Sequence, residues 1–356
     1  MATQSIKSKS QEEKPIGVIG AGNFGTVIAN ILAIHRPVIL YGRNKEAVIK
    51  MNLERENRGH LLHENIRAVS DLATIARECD VIFPMVPSAH FREMMRNLST
   101  YLQPYHILIH GTKGFDITLP KGETIESIDK LSRKQVKTMS EVIREESVVV
   151  RIGCLAGPNL AKELSQRQPA ATVIASPFDE VIQIGKKLLR NDRFQVYENK
   201  DIVGVEIAGV LKNIIAIASG ALSGLGYGEN AKGLLVSRGA VEMVYLGRAL
   251  GGDVKAFLGV AGIGDLVTTC NSPMSRNFTV GYRLAKGEKL PDILNDMAEI
   301  AEGVNTVRIA KKCADFYKIR ALITDRLYKV LFEGMTVEEA LDFLMRFPLS
   351  ADIDFI

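Results

Sequence analysis

Cysteine, tryptophan and excess charge are all scarce in this sequence of 356 residues. It has four cysteines, no tryptophan and a formal net charge of only +4. The cysteines lie far apart and form no CxxC pair, which argues against a disulfide framework or a zinc site and favours a reducing compartment. The six histidines show no metal-ligand spacing either, so we expect no metal. The small positive charge does not indicate nucleic acid as a partner, although it is compatible with a small anionic ligand.

A signal peptide and a Gly/Ser-rich linker are also missing. Residues 1–14 are polar and lack the apolar core of a signal peptide, so we predict a disordered tail and a cytoplasmic protein. The length exceeds that of a comfortable single domain, and two domains are therefore expected. Because no flexible linker separates them, the two domains should pack tightly and could share a site at their junction.

The hydrophobic pattern changes near residue 203. Before this point, short apolar runs alternate with helix-like stretches, which is typical of a mostly parallel sheet covered by helices on both faces. Candidate strands cover residues 16–19, 38–41, 81–86, 107–109, 148–150 and 172–174. Candidate helices after this point cover residues 234–250, 302–317, 325–331 and 336–346. We therefore predict an α/β domain over residues 15–203 and an all-α domain over residues 204–356.

A lysine interrupts the most apolar stretch of the chain. Lys212 is followed by Asn213 within the run 204–220, and apolar residues flank it on both sides. Burial lowers the pKa of an ammonium group, which suits a lysine that exchanges a proton near neutral pH. A lysine that reaches the surface from the end of a buried helix is an equally good interpretation. A membrane span is less favoured, because the uncharged part over 214–227 is shorter than the ~20 residues that a span needs.

A glycine pattern typical of dinucleotide binding follows the first candidate strand. Gly20, Gly22 and Gly25 form GxGxxG between a strand and a helix, where glycines let the backbone approach a pyrophosphate at the helix N-terminus. This context predicts a Rossmann-type domain, and a glycine-rich turn without a ligand is the alternative. Arg43 ends the second candidate strand, where an acidic residue would select NAD. An arginine there can pair with the 2′-phosphate of NADP, or it is a solvated surface residue.

Three further motifs carry polar side chains. Lys113 lies in a GTKG turn after a candidate strand, so it is expected to face the cofactor crevice unless it is a surface lysine. Asp265, in the glycine-rich segment 261–269, can hold an ammonium group or a substrate hydroxyl, or can cap a helix. Ser275, Arg276 and Asn277 place a guanidinium between a hydroxyl and an amide, which suits the binding of a phosphate.

In order and spacing, these motifs resemble those of one enzyme family. The set GAGNFG, VPS, GTKG, CLAGPNLAKE, GVLKN, GIGDL, SRN and AEG is similar to that of the bacterial type of NAD(P)-dependent glycerol-3-phosphate dehydrogenase. The resemblance extends from about residue 16 to about residue 347. It implies reversible reduction of dihydroxyacetone phosphate to sn-glycerol 3-phosphate, which supplies phospholipid synthesis. The implied cofactor is NAD or NADP, with no metal.

For partners, we expect the small-molecule substrate and a second copy of the chain in a homodimer, and neither nucleic acid nor a membrane. The sequence leaves the oligomeric state and the preference between NAD and NADP open. Two other functions are weighed against the family. A dehydrogenase acting on a hydroxy acid or a ketopantoate-like substrate would share the fold and the lysine, but the SRN triplet favours a phosphate. A nucleotide-sensing regulatory protein would need neither a buried lysine nor a phosphate-binding arginine.

The resemblance also implies roles for individual residues. Lys212 matches the proton donor and acceptor, and Lys113 and Asp265 shape its electrostatics. The implied substrate-binding positions are Lys113, Gly157, Asn159, Lys212, Asp265, Ser275, Arg276 and Asn277. The implied cofactor-binding positions are Gly20, Gly22, Asn23, Phe24, Gly25, Arg43, Lys113, Ala161, Arg276, Ile300 and Glu302.

The sequence departs from the family pattern in two places. Asn159 stands where the family usually has Ser or Thr, although an asparagine can still donate a hydrogen bond. The segment 116–135 is longer than the usual connection after the TKG turn, and it is polar and charged. We predict that this segment is a surface excursion without a catalytic role.

Overall fold

The computed structural model of this chain describes residues 13–297 and 300–348, so the predicted tail over residues 1–14 lies almost entirely outside the described residues. The strands are β1 (Ile16–Ile19), β2 (Val38–Tyr41), β3 (Glu56–Asn57), β4 (His60–Leu61), β5 (Ile66–Val69), β6 (Val81–Pro84), β7 (Ile107–His110), β8 (Asp116–Ile117), β9 (Val136–Lys137), β10 (Arg151–Ala156), β11 (Ala170–Ala175) and β12 (Phe194–Asn199). The helices are α1 (Asn23–Ala33), α2 (Lys45–Glu54), α3 (Leu72–Glu78), α4 (Phe91–Ser99), α5 (Met139–Glu146), α6 (Ala161–Ser165), α7 (Asp179–Leu189), α8 (Ile202–Gly224), α9 (Glu229–Ala249), α10 (Val254–Leu258), α11 (Asp265–Asn271), α12 (Arg276–Ala285), α13 (Leu290–Asp296), α14 (Glu302–Tyr317), α15 (Leu322–Phe332) and α16 (Val337–Arg346).

Eight strands form one sheet in the order β12-β11-β10-β7-β6-β1-β2-β5. Neighbouring strands are parallel throughout this described sheet except for β10 and β11, which are antiparallel. From Ile202 onward, the elements that the structure describes are helices. This confirms the predicted fold class. The chain order reverses between β1 and β6, and the carboxyl ends of the strands beside such a switch point form the ligand crevice in open α/β sheets.

Apolar side chains on both faces of the sheet build two layers of core. In β2, Val38 and Leu40 pack on the face covered by α1 and α7, whereas Ile39 packs on the face covered by α3, α4 and α5. The side chains alternate because successive residues of a strand point to opposite faces, and a sheet buried on both faces needs apolar residues at every position. The core on the second face continues into α8, so the sheet and the helical half share one apolar interior.

The strand predicted over 148–150 is wrong. Val148 and Val150 are exposed, and the strand begins only at Arg151. The two edge strands of the sheet, β5 and β12, were not predicted. Both alternate buried with exposed residues, such as exposed Arg67 between buried Ile66 and Ala68. An edge strand has a partly solvated face, so it lacks the continuous apolar run by which the inner strands are found.

Helix α8 runs through the centre of the helical half. By length and by a mean hydropathy of 1.8 it could cross a membrane, but 89% of its most apolar window is buried inside the protein. Two glycines bring it into backbone contact with α12. A Cβ at Gly220 would lie 1.9 Å from the Phe278 carbonyl oxygen, and a Cβ at Gly281 would lie 1.8 Å from the Ile217 carbonyl oxygen. Any larger residue would therefore force the two helices apart.

The segment between β8 and β9 lies mostly at the surface over residues 118–130, as predicted, but its end is anchored to the helical half. Leu131 is fully buried, and its backbone N–H donates to the Lys312 carbonyl of α14 at 3.1 Å. Arg133 donates to the Leu250 carbonyl at the end of α9 at 2.6 Å and forms an ion pair with Glu141 of α5 at 2.8 Å. The sequence did not reveal these contacts, because two of the three are made by the partly exposed guanidinium of Arg133 and the other by a backbone N–H.

Candidate active site

The glycine-rich turn after β1 has the shape that a dinucleotide requires. Gly20 has a φ of +121°, and a Cβ there would lie 2.6 Å from the Met85 carbonyl oxygen at the end of β6. A Cβ at Gly25 would lie 2.0 Å from the Gly20 carbonyl oxygen, so the third glycine lets the helix approach the strand. A Cβ at Gly22 would meet no atom within 4 Å. The turn is therefore closed toward the protein and open at the position where a pyrophosphate would lie.

Helix α1 presents its N-terminus to this opening. It begins at Asn23 with Gly22 as the N-cap, and in this fully described helix there is neither a side-chain cap nor an acidic residue in the first turn. Backbone N–H groups at the N-terminus of a helix attract anions, and a carboxylate in the first turn would repel them. Phe24 packs against the end of β7, where a Cβ at Gly111 would lie 3.1 Å from its ring. These residues fit a bound dinucleotide.

The other predicted cofactor residues lie at several places around the same edge of the sheet. Arg43 is exposed two residues after the end of β2, and Ala161 begins α6, which contacts α1. Ile300 is 43% exposed, and its carbonyl oxygen accepts a hydrogen bond from the Arg276 guanidinium at 3.0 Å.

A cluster of three charges lies where the sheet meets the helical half. The Lys212 ammonium, on α8, lies 2.6 Å from Oδ1 of Asp265, which begins α11. The Lys113 ammonium, on the loop after β7, lies 2.6 Å from Oδ2 of the same carboxylate. Lys113 also donates to the Gly157 carbonyl oxygen after β10 at 3.0 Å. One carboxylate therefore bridges two ammonium groups, and the cluster has one positive charge in excess.

Burial within this cluster sets the proton affinity of Lys212. Its side chain is only 6% exposed and Asp265 is 2% exposed, whereas Lys113 is 21% exposed and reaches the crevice. Burial lowers the pKa of Lys212 to about 8, and the Lys113 charge adds to this effect while Asp265 opposes it. The structure thus excludes a lysine that reaches the surface. The Lys212 ammonium lies beside the same carboxylate as the partly exposed Lys113, and its lowered pKa suits proton exchange near neutral pH.

Thr269 completes the environment of the lysine. Its hydroxyl accepts from the Lys212 ammonium at 2.5 Å and donates to the Asp265 carbonyl oxygen at 2.6 Å. Thr269 lies four residues after Asp265, so both side chains project from one face of α11. Thr269 is not among the site residues predicted from the sequence, although the spacing of four between a carboxylate and a hydroxyl is a signal that could have identified it.

The Ser-Arg-Asn triplet forms the first turn of α12. Ser275 is its N-cap and accepts from the Phe278 backbone N–H. Asn277 is buried, and its amide donates to Oδ1 of Asn213 at 2.9 Å while its Oδ1 accepts from the Gly303 N–H at 2.9 Å. Asn213 directly follows Lys212, so α8 supplies both the buried lysine and the partner that orients Asn277. The close crossing of α8 and α12 makes this contact possible.

The two predicted substrate residues after β10 are held by β11. Gly157 has a φ of +156°, and a Cβ there would lie 2.9 Å from the Ala171 carbonyl oxygen. The Asn159 amide donates to that carbonyl at 2.9 Å, and its Oδ1 accepts from the Thr172 hydroxyl at 2.9 Å. Both ends of the asparagine side chain are thus engaged with the sheet. The loop brings the Gly157 carbonyl, more than the Asn159 side chain, to the charged cluster.

Glu302 joins the helical half to the crevice. It begins α14, and its carboxylate accepts from the Ser88 backbone N–H at 2.8 Å and also from the Ser88 hydroxyl. Ser88 lies in the loop after β6, in the VPS motif. This contact between the two halves was not predicted, because the residues are 214 positions apart.

The structure brings Lys113, Lys212 and Asp265 into one cluster and arranges the glycine-rich turn and the triplet on nearby elements. Among residues 13–297 and 300–348, no three His, Cys, Asp or Glu side chains come together in a way that could hold a metal ion. A glycine-rich turn that is open at Gly22, a buried lysine with a lowered pKa and an arginine beside a buried asparagine are groups that a reductase acting on a phosphorylated carbonyl compound would need.

Comparison with known proteins leads to one family. The N-terminal domain of NAD-dependent glycerol-3-phosphate dehydrogenase matches residues 15–181, and its C-terminal domain matches residues 201–342. The chain is 39% identical over 344 residues to glycerol-3-phosphate dehydrogenase (NAD(P)+) of Teredinibacter turnerae, which covers 95% of this chain and 96% of that relative.

Solved structures agree with this result. A crystal structure of glycerol-3-phosphate dehydrogenase from Coxiella burnetii has a TM-score of 0.84 at 30% identity, over 94% of this chain and 99% of that one. A ketopantoate reductase from Ralstonia eutropha has a TM-score of 0.53 at 14% identity, over 93% of this chain and 100% of that one, which is a likeness of fold alone. The chain therefore belongs to the family of NAD-dependent glycerol-3-phosphate dehydrogenases, as its motifs predicted, and is an oxidoreductase that uses NAD or NADP.

Proposed function

We propose that this enzyme reversibly reduces dihydroxyacetone phosphate to sn-glycerol 3-phosphate, with Lys212 as the residue that gives and takes the proton. The observation that carries this proposal is the buried Lys212 ammonium, bonded to Asp265 and Thr269 beside the crevice. Its pKa of about 8 suits proton exchange with a carbonyl or hydroxyl oxygen near neutral pH. The fingerprint turn, the Arg276 triplet and the family relationship support the same reaction.

The nicotinamide cofactor supplies the hydride, and the protein supplies alignment and the proton. In the reduction, Lys212 donates its proton to the substrate oxygen, and in the oxidation the neutral amine takes the proton back. Asp265 holds the Lys212 and Lys113 ammonium groups at fixed positions. Lys113 places a second positive charge near the oxygen, where negative charge develops during reduction.

The phosphate group of the substrate gives remote binding energy that aligns the carbonyl with the cofactor. We assign this role to Arg276 with Asn277, because a guanidinium can bind a phosphate through two parallel hydrogen bonds. Asn213 and the Gly303 N–H keep Asn277 in place. The further proposed substrate contacts are Gly157, Asn159 and Ser275.

The cofactor site is proposed to use the fingerprint turn with the residues around it. Asn23 and Phe24 begin α1, where backbone N–H groups face the pyrophosphate. Arg43 would pair with the 2′-phosphate of NADP. The other proposed cofactor contacts are Gly20, Gly22, Gly25, Lys113, Ala161, Arg276, Ile300 and Glu302.

In the cell, we propose that the chain is a cytoplasmic homodimer that supplies glycerol phosphate for phospholipids, without a membrane or nucleic acid as partner. The division into domains at residues 15–203 and 204–356 is part of the same proposal. Light scattering coupled to size-exclusion chromatography tests the oligomeric state. A mass near that of one chain would contradict the dimer.

A substrate panel tests the proposed activity. Purified enzyme is assayed for oxidation of NADH and of NADPH with dihydroxyacetone phosphate, ketopantoate or a 2-keto acid as the acceptor. We expect turnover with dihydroxyacetone phosphate alone. Faster turnover of ketopantoate or a keto acid would favour the other dehydrogenase class, and tight nucleotide binding without any turnover would favour a regulatory protein.

A further inference from the structure

A buried histidine–glutamate pair lies close to the active site but outside the three-charge cluster. His110 is the last residue of β7, and its Nε2 lies 2.9 Å from Oε1 of Glu206 on α8. The two side chains are 1% and 3% exposed. Burial of a carboxylate carries a large desolvation cost, which polar partners must offset. The contact joins the sheet to the central helix.

Glu206 has these partners on a third element. Its carboxylate accepts from the Ser140 backbone N–H at 2.8 Å and from the Ser140 hydroxyl, in the first turn of α5. Burial acts to raise the pKa of Glu206, but the His110 ring and the Ser140 donors outweigh it, so the pKa lies below its ordinary value. Neither ring nitrogen of His110 has a well-aligned hydrogen bond within the described residues. The ring and the carboxylate therefore approach each other closely without an ideal hydrogen-bond angle.

The pair is close to Lys113 in the chain. His110 precedes Lys113 by three residues, and the GTKG turn that contains Lys113 runs along α8. Glu206 and Gly209 lie on successive turns of α8. A Cβ at Gly209 would lie 3.7 Å from Cγ of Lys113, so the lysine stem rests on the helix at this glycine. Lys212 follows on the next turn. The same helix thus holds the start of the turn, the stem of Lys113 and the proton donor.

We propose that His110 and Glu206 form a positioning pair that fixes the GTKG turn on α8, so that the Lys113 ammonium reaches Asp265 at a set distance from Lys212. Neither residue touches the reacting atoms, and both act through Lys113. The inference rests on the proposed function only for its kinetic assay.

The test compares two substitutions of buried glutamates. Glu206→Gln removes the charge of the pair but keeps its shape. Glu242→Gln is the matched control, because Glu242 is as deeply buried on α9 and accepts from the backbone N–H groups of Ile323 and Thr324 at 2.8 Å. Both variants are expected to lower the melting temperature. Only Glu206→Gln is expected to lower kcat/KM for dihydroxyacetone phosphate, by about ten- to a hundredfold, because a small misplacement of a catalytic group is costly.

A double-mutant cycle shows whether Glu206 acts through Lys113. In a Lys113→Met background, Glu206→Gln should lower the remaining rate less than about twofold, because the effects of substituting residues that act through one another are not additive. His110→Gln should reproduce the kinetics of Glu206→Gln, and it serves as the test if the Glu206 variant does not fold. Two results would overturn the positioning pair. One is unchanged kinetics of Glu206→Gln despite a lower melting temperature. The other is a double variant whose loss of rate equals the product of the losses in Glu206→Gln and Lys113→Met.

A crystal structure of Glu206→Gln gives a readout that does not depend on the substrate. The proposal expects Lys113 to lie away from Asp265, while Lys212 keeps its contact with that carboxylate. An unchanged Lys113 contact would overturn the inference even if the activity falls. A wild-type enzyme that does not reduce dihydroxyacetone phosphate would instead contradict the proposed function, and the structural comparison would still decide the role of the pair.

Discussion

The Lys212 ammonium and the Asp265 carboxylate lie 2.6 Å apart, although 53 residues separate them in the chain. Both side chains are almost fully buried, and a buried ammonium without a partner would be strongly disfavoured. Asp265 thus makes it possible for α8, which is buried in the apolar core, to carry a lysine. Burial nevertheless keeps the pKa of Lys212 below that of an ordinary lysine, and the nearby Lys113 charge lowers it further although Asp265 opposes both effects.

Removal of Lys212 should abolish turnover and leave cofactor binding nearly intact. In the proposed mechanism the lysine acts on the substrate oxygen and not on the dinucleotide, so Lys212→Ala is expected to lower kcat by about 100-fold or more. Steady-state rates and NADPH affinity are measured on the same preparation. Lys312→Ala is a suitable control, because Lys312 is also buried but bonds to the Ile128 carbonyl far from the crevice. A Lys212 variant with a tenth of the wild-type rate would contradict the assignment.

The pH dependence should have opposite signs in the two directions of the reaction. The pKa of Lys212 is about 8, so the ammonium prevails below this pH and the amine above it. Reduction, which needs the ammonium, should fall as the pH rises through about 8. Oxidation of glycerol 3-phosphate, which needs the amine, should rise over the same range.

Asp265→Asn provides the control for this pH effect. The carboxylate raises the pKa of Lys212, so its loss should move the inflection of both profiles to lower pH. Initial rates at saturating substrate, between about pH 6 and about pH 10, measure the shift. Profiles that have the same sign in both directions would show that a group other than Lys212 exchanges the proton.

Arg276 should bind the substrate phosphate. Arg276→Lys keeps the charge but not the planar pair of donors, so kcat/KM for dihydroxyacetone phosphate should fall. The loss should be smaller for dihydroxyacetone, which has no phosphate to bind. NADPH affinity is measured in parallel, because Arg276 also contacts Ile300, a proposed cofactor residue. Equal fractional losses on both substrates, with NADPH affinity unchanged, would show that Arg276 does not bind the phosphate.

Arg43 should decide how well NADPH is accepted. If its guanidinium pairs with the 2′-phosphate, Arg43→Ala raises the KM for NADPH much more than the KM for NADH. Arg167→Ala is a comparison at another exposed arginine, which pairs with Asp192 at the surface. Equal changes of both KM values in Arg43→Ala would mean that Arg43 is only a surface residue.

By itself, the sequence determined the fold class and the family. A GxGxxG turn between a strand and a helix has few other uses, and apolar inner strands show as continuous runs because they are buried on both faces. The helix over Glu302–Tyr317 and the capping box at Thr336 were likewise predicted at their observed positions. These features are local, so neighbouring residues carry the whole signal.

Only the tertiary structure decided where the Lys212 side chain lies. Its sequence was equally consistent with a lysine that reaches the surface, and the choice depended on Asp265 and Thr269, which another helix supplies. The Ser88–Glu302 contact and the anchored segment around Leu131 join parts of the chain that are far apart in sequence. Such contacts arise because folding brings buried polar groups to partners that satisfy them, and a single sequence does not show which distant residue is the partner.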